Sequence, residues 1–266
     1  MVLQGDAAGY SPPFDAPLYG GSIGRSTPAA DEEFDFRNCQ GAMVYFSIDN
    51  DDIADVLPEG VTPFGSPPHG VAWITRYPFS SVGEYDEFFS LIQVEDLGGE
   101  MAYYVPYIYV DNDAGMASGR EVVGAPKKRA EIDLDPSGPL TSGTLERPDG
   151  RRLATLTVQP EQQVEGNALL DAAIPDPVPM LSLRHVPPIE GEDGLTQLVE
   201  WYARIHFHED ARGSRKVWMG PGELTYDSPS KHDPIHKLAV DGIDLALYFE
   251  YDMELGARAV QKEWRV

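Results

Sequence analysis

Residues 119–132 read GREVVGAPKKRAEI, and from Lys127 the chain continues as KKRAEIDLD to residue 135. In that run Lys128, Ala130, Ile132 and Leu134 alternate with Lys127, Arg129, Glu131 and Asp133, a period of two that argues for a β-strand. Simple alternation puts Lys128 on the apolar face and Lys127 on the other. The same kind of segment recurs in both directions. Upstream stand AMVYFSIDN (42–50), GVAWITRYPF (70–79), EYDEFFSLIQVE (84–95) and MAYYVPYIYV (101–110). Downstream stand RRLATLTVQPE (151–161), MLSLRHV (180–186), TQLVEWYARIHFHE (196–209) and LALYFEYDMELGA (245–257). Turn signals such as ERPDGR (146–151) separate them. With only a few short helices, among them NDDIADVLPEGV (50–61) capped by Asn50 or Asp51, the pattern predicts a mainly β protein, an antiparallel barrel or sandwich enclosing a central pocket. Residues 1–35, rich in Gly, Pro and Ser, read as an extended N-terminal arm, and residues 36–266 as one domain.

Composition narrows the classes of partner. The chain of 266 residues carries 44 acidic and 20 basic residues, a formal charge of −24 that repels phosphate backbones and anionic lipid. No nucleic acid and no membrane is therefore the expectation. One cysteine, Cys39, forbids an internal disulfide, and MVLQGDAAGYSPPFD lacks the basic start and apolar run of a secretory leader, so a cytoplasmic protein is expected. No nucleotide-binding glycine motif and no C-x-x-C occurs. His206 and His208, beside Glu209 and Asp210, stand two apart as strand residues do, and the expectation is no metal and no cofactor. His232 and His236 lie in the loop-like SPSKHDPIHK. Nothing adjacent to Cys39 supports a nucleophilic role.

The lysines remain. There are six against fourteen arginines, and two of the six are adjacent. Arginine stays protonated and does not condense with a carbonyl, whereas a deprotonated lysine amine does. Two readings stand on this segment alone: an exposed basic turn, or amine chemistry. The second is demanding, because a free lysine titrates near ~10.4 and well under about one in a thousand is neutral at pH 7. A neighbouring cation or an apolar, water-poor site must favour the neutral form.

The spacing Gly119-Arg120-Glu121 followed by Pro126-Lys127-Lys128 resembles the hallmark of the acetoacetate decarboxylase superfamily. VLPEGV (56–61), VGEYDE (82–87) and RKVWMGPGELTYDSPSKHDPIHKL (215–238) fall in the same order, so the resemblance spans roughly residues 35–255. It implies a barrel of that family, a homo-oligomer, and a Schiff-base lysine at Lys127, with Lys128 as the cation that lowers its pKa and Glu87 as the acid, base or orienting group. Arg120 and Glu121 are expected to brace the segment as an internal ion pair. Lys127 then belongs in the lumen, which the alternation would make the polar face. Two family features have no counterpart here. The arginine before the first long strand falls at Cys39 or Gln40, with Arg37 nearest, and a second glutamate falls at Ala72 or Trp73. Arg76 is a candidate replacement anchor for a substrate carboxylate. The resemblance thus implies a lyase that decarboxylates a β-keto acid or similar small oxo acid through an imine and enamine. The alternatives are aldolase-dehydratase or cyclase chemistry on a larger oxo compound, and a non-catalytic ligand-binding barrel.

Overall fold

The computed structural model describes residues 34–49, 53–166 and 168–265, and it is mainly β. The chain opens with β1 (Phe34–Ser47), β2 (Thr62–Pro63), β3 (His69–Tyr77), β4 (Phe79–Ser80), β5 (Tyr85–Glu95) and β6 (Met101–Val110). The lysine segment supplies β7 (Lys127–Arg129), followed by β8 (Glu131–Asp135), β9 (Thr141–Glu146) and β10 (Arg152–Val158). Then come β11 (Gln162–Gln163), β12 (Val178–Val186), β13 (Leu195–Phe207), β14 (Val217–Met219), β15 (Gly222–Thr225) and β16 (Gly242–Arg265). Phe34 is already paired with Leu255, so Phe34 and Asp35 belong to β1 and not to the predicted arm. The rest of that arm, like the proposed caps Asn50 and Asp51, lies outside the described residues.

Among the described residues, seven strands close a barrel in the order β1, β3, β5, β6, β12, β13 and β16, with β16 pairing back onto β1. The pairing is antiparallel except between β6 and β12, which run parallel through Met180↔Tyr103 and Leu181↔Tyr104. A parallel junction requires a long crossover, and here the crossover carries the lysine segment and three of the four strands of a second sheet, β8, β9 and β10. Pro106, in the middle of β6, falls in the gap between the residues that pair with β12 (Tyr103, Tyr104) and those that pair with β7 (Ile108 to Val110). On its other side the β5 register shifts between Ser90 and Ile92. The missing amide hydrogen of proline is tolerated at such an irregularity.

The second sheet, in the order β15, β10, β9, β8, covers part of the barrel's outer surface. Its fit is close: a Cβ on Gly143 of β9 would stand 2.6 Å from Cγ2 of Ile74 in β3. Two apolar cores result. One fills the lumen with Phe36, Met43, Trp73, Tyr77, Phe89 and Trp201 among others. The other lies between barrel and outer sheet, with Val44, Ile74, Phe88, Ile132, Leu134 and Leu156. Strand β5 is accordingly buried from Tyr85 to Val94 without a break. The expectation of a polar lumen is therefore wrong. Lys127 and Ile132 do face opposite sides, as alternation requires, but both sides are apolar.

Two expectations follow. Ile74 is fully buried against Gly143, so Ile74→Ala should cost about 2–5 kcal/mol, read as a lower denaturant midpoint. A loss under about 1 kcal/mol would contradict that packing. Cys39 is fully buried, and burial, then the charge of Asp252, pushes its thiol up to about 12. A thiol reagent at pH 8 should therefore label Cys39 only after denaturation.

Candidate active site

The lysine segment is built by local structure that the sequence encodes closely. Asn112 caps the helix Asp113–Ser118, its Oδ1 accepting from the Gly115 amide at 2.9 Å. The helix runs into a single wide turn of π type, Gly119–Val123, of the kind often found at functional positions. Gly124 ends it with φ of 76°, a left-handed conformation that favours glycine, and its amide bonds to the Gly119 carbonyl. The chain then enters β7, whose Lys127 lies beside Ile108 of β6.

Gly119 has a second role. A Cβ there would stand 2.6 Å from both Cδ and Cε of Lys127, so the missing side chain makes room for the lysine stem. Arg120 is exposed and its Nη1 donates to the Lys127 carbonyl at 3.2 Å. It braces the segment through the backbone, which differs from the buried ion pair expected for it; Glu121 is half-buried in the same turn.

Lys127 is 8 % exposed and its Nζ lies 2.6 Å from Oε2 of Glu87, itself 6 % exposed. The two meet because Glu87 pairs with Val110 of β6 while Lys127 pairs with Ile108, two residues away on the same strand. Oε2 has the charge contact but no well-aligned hydrogen bond. Oε1 accepts from the Tyr77 hydroxyl at 3.3 Å. The Tyr85 ring stands 5.4 Å from Nζ, within cation–π range. Burial holds the phenols of Tyr77, Tyr85 and Tyr251 well above their ordinary range, so each remains a donor. Tyr251 bonds Thr75 at 2.8 Å, and Thr75 donates to the Gln40 carbonyl at 2.9 Å, which fixes this wall.

Lys128 points the other way. Its Nζ bonds the His232 carbonyl and lies 3.0 Å from Oδ1 of Asp233, a carboxylate only 3 % exposed that also receives Arg147 at 3.1 Å. In this geometry Lys128 is a strut on the outer face, with its charge compensated by Asp233, and it is not a cation facing Lys127. Arg76 is likewise outside. Asp86 holds its guanidinium through Nε at 3.0 Å and Nη2 at 2.8 Å, with Asp133 at 3.6 Å, and it does not line the cavity. Arg37 is bound to Asp35, Asp252 and Glu254. His206 and His208 face Glu254 and Asp252 at 3.7 and 2.9 Å.

The cavity into which Lys127 projects offers about 70 Å³ of room within an empty space of about 860 Å³ that includes its open mouth. Among the described residues that line it, Lys127 is the one cation and Glu87 the one anion. Trp73 occupies a place where the resemblance leads one to look for a second glutamate. The contributions of Tyr77, Trp201 and Asp233 were not read from the sequence. Tyr77 shares the alternation of Trp73 and Thr75, a signal that could have placed it on the lumen face, whereas nothing local distinguishes Asp233 in its loop.

Such a lysine and carboxylate, alone in an apolar cavity, suit attack of an amine on a carbonyl. The chain matches the family described as acetoacetate decarboxylase (ADC) over residues 15–263. Acetoacetate decarboxylase 1 of Bradyrhizobium diazoefficiens is 24 % identical over 218 residues, 82 % of either chain. Decarboxylase DEC1 of Cochliobolus heterostrophus is 27 % identical over 208 residues, 76 % of this chain and 77 % of that one. In fold, the acetoacetate decarboxylase of Legionella pneumophila is similar with a TM-score of 0.76 at 23 % identity, covering 88 % of this chain and 89 % of that one. The enduracididine biosynthesis enzyme MppR complexed with pyruvate is similar with a TM-score of 0.72 at 21 % identity, covering 97 % and 98 %. No helix among the described residues is long and apolar enough to cross a membrane. From its lysine segment to its barrel, the chain belongs to the acetoacetate decarboxylase family.

Proposed function

We propose that this protein is a carbon–carbon lyase that decarboxylates a β-keto acid through an imine on Lys127. The observation that carries this reading is the 2.6 Å contact between Lys127 Nζ and Glu87 inside an apolar cavity. Glu87 takes a proton from the ammonium, and the neutral amine attacks the ketone carbon. The resulting carbinolamine loses water, with its proton supplied by Glu87, to give a protonated imine. The bond to the carboxylate then breaks, its electron pair flows into the imine, and the products are carbon dioxide and a neutral enamine. A proton from water then adds to the enamine carbon, and hydrolysis of the protonated imine so formed releases the ketone and restores Lys127 as the ammonium.

Charge favours this outcome over the alternatives. In decarboxylation a cationic imine and an anionic carboxylate become two neutral groups, a change that apolar walls favour because they solvate charge poorly. An aldol or dehydration reaction on an oxo acid such as pyruvate keeps its carboxylate throughout, and a buried carboxylate needs a cation. Among the described lining residues the one cation is Lys127, whose charge persists in the protonated imine but is lost once the neutral enamine forms beside the retained carboxylate. The arginine missing near Cys39 thus argues against a retained carboxylate more than against one that leaves.

With acetoacetate and 3-oxopentanoate as substrates, wild type should release carbon dioxide, and Lys127→Arg and Lys127→Ala should lower the rate by about a thousandfold or more. Glu87→Gln should lower kcat by about 10²- to 10⁴-fold. Carbon dioxide release that survives in Lys127→Arg, or that is absent in wild type, contradicts the reading; the second result favours a ligand-binding barrel or aldol chemistry. Gly119→Ala, which drives a methyl into the lysine stem, should lower kcat by about tenfold to a hundredfold with the far-ultraviolet circular dichroism unchanged.

A further inference from the structure

Resting on the imine reading above, we propose that the cavity selects β-keto acids with an unbranched hydrocarbon tail longer than the methyl of acetoacetate, seated against the wall formed by β12, β13 and β16. Strand register builds that wall in rows. Val178, Ala203 and Leu255 pair side by side in one row, Met180 and Trp201 in the next, and Ile205 and Met253 in a third. All seven line the cavity. The one nitrogen among these side chains is already engaged: Trp201 Nε1 donates to Ser182 Oγ at 3.0 Å, and that hydroxyl donates to the Val123 carbonyl at 2.5 Å. These seven side chains therefore offer nothing with which to recognise a hydroxyl, an amide or a second carboxylate. Burying such a group there without a partner is costly.

A hydrocarbon tail meets the opposite situation. Each methylene moved from water into such a wall favours binding by an amount equal to about a fourfold rise in kcat/KM. Acetoacetate brings one methyl and exploits little of this surface. Ala203, the smallest side chain in its row, leaves a notch between Val178 and Leu255, and it is the residue that sets tail length. The same wall is tied to the catalytic segment, because the bonds from Trp201 through Ser182 end on the turn that precedes Gly124. Filling the subsite and holding Lys127 in place are thus linked through one short chain of contacts.

The test uses the full chain with acetoacetate, 3-oxopentanoate, 3-oxohexanoate and the diacid 3-oxoglutarate. kcat/KM is measured for each, and intact mass after borohydride reduction reports imine formation separately. The expected result is an adduct with acetoacetate, a rise of about fourfold in kcat/KM for each added methylene, and a value for 3-oxoglutarate at least about tenfold below that for 3-oxopentanoate. Ala203→Leu should lower the ratio of 3-oxohexanoate to acetoacetate by about tenfold. An adduct accompanied by flat or falling kcat/KM along the series, or by equal use of the diacid, overturns the apolar subsite while the imine stands. Absence of any adduct overturns the imine reading and this inference with it.

Discussion

A lysine and a glutamate 2.6 Å apart, almost wholly withdrawn from water, are the arrangement that the rest of this molecule serves. Either charge alone in that cavity would be strongly destabilising, and even together they offset their desolvation only with good geometry. The fold supplies the geometry. Adjacent strands hold Glu87 and Lys127 two residues apart across β6, Tyr77 fixes one carboxylate oxygen, and Gly119 yields the space through which the lysine stem runs. The other carboxylate oxygen faces the lysine nitrogen.

Covering the barrel with a second sheet makes this possible. The outer face of β3 and β5 is itself largely buried, and the lysine segment beside them is held from both sides, with Lys127 inward and the half-buried Lys128 anchored outward on Asp233. A buried carboxylate that gathers Lys128 and Arg147 ties the loop before Ile235 to the strand that carries Lys127. Adjacent lysines in an extended strand diverge by geometry. In this protein the second lysine therefore contributes position, and the apolar walls supply the environment.

Much of this was legible in the sequence. Period-two alternation is enough to place Lys127 opposite Ala130, Ile132 and Leu134, and the GRE to PKK spacing marks the family. Glu87 could be named because it lies in a short segment with its own resemblance. What alternation cannot give is which face is the lumen when both faces are apolar, so a polar interior was expected where an apolar one occurs. Arg76 looked available as an anchor since nothing in GVAWITRYPF shows that Asp86, ten positions on, comes to lie beside it. Asp233 is more than a hundred residues from Lys128 in the chain, and only tertiary folding joins them.

The central question is which lysine forms the imine. Imine formation and hydrolysis replace a ketone's oxygen with oxygen from water, so enzyme-catalysed loss of ¹⁸O from labelled 2-butanone reports the nucleophile without any decarboxylation. Wild type and Lys128→Gln should both accelerate the exchange, and Lys127→Gln should not. Exchange that persists in Lys127→Gln but disappears in Lys128→Gln would contradict the account at its centre.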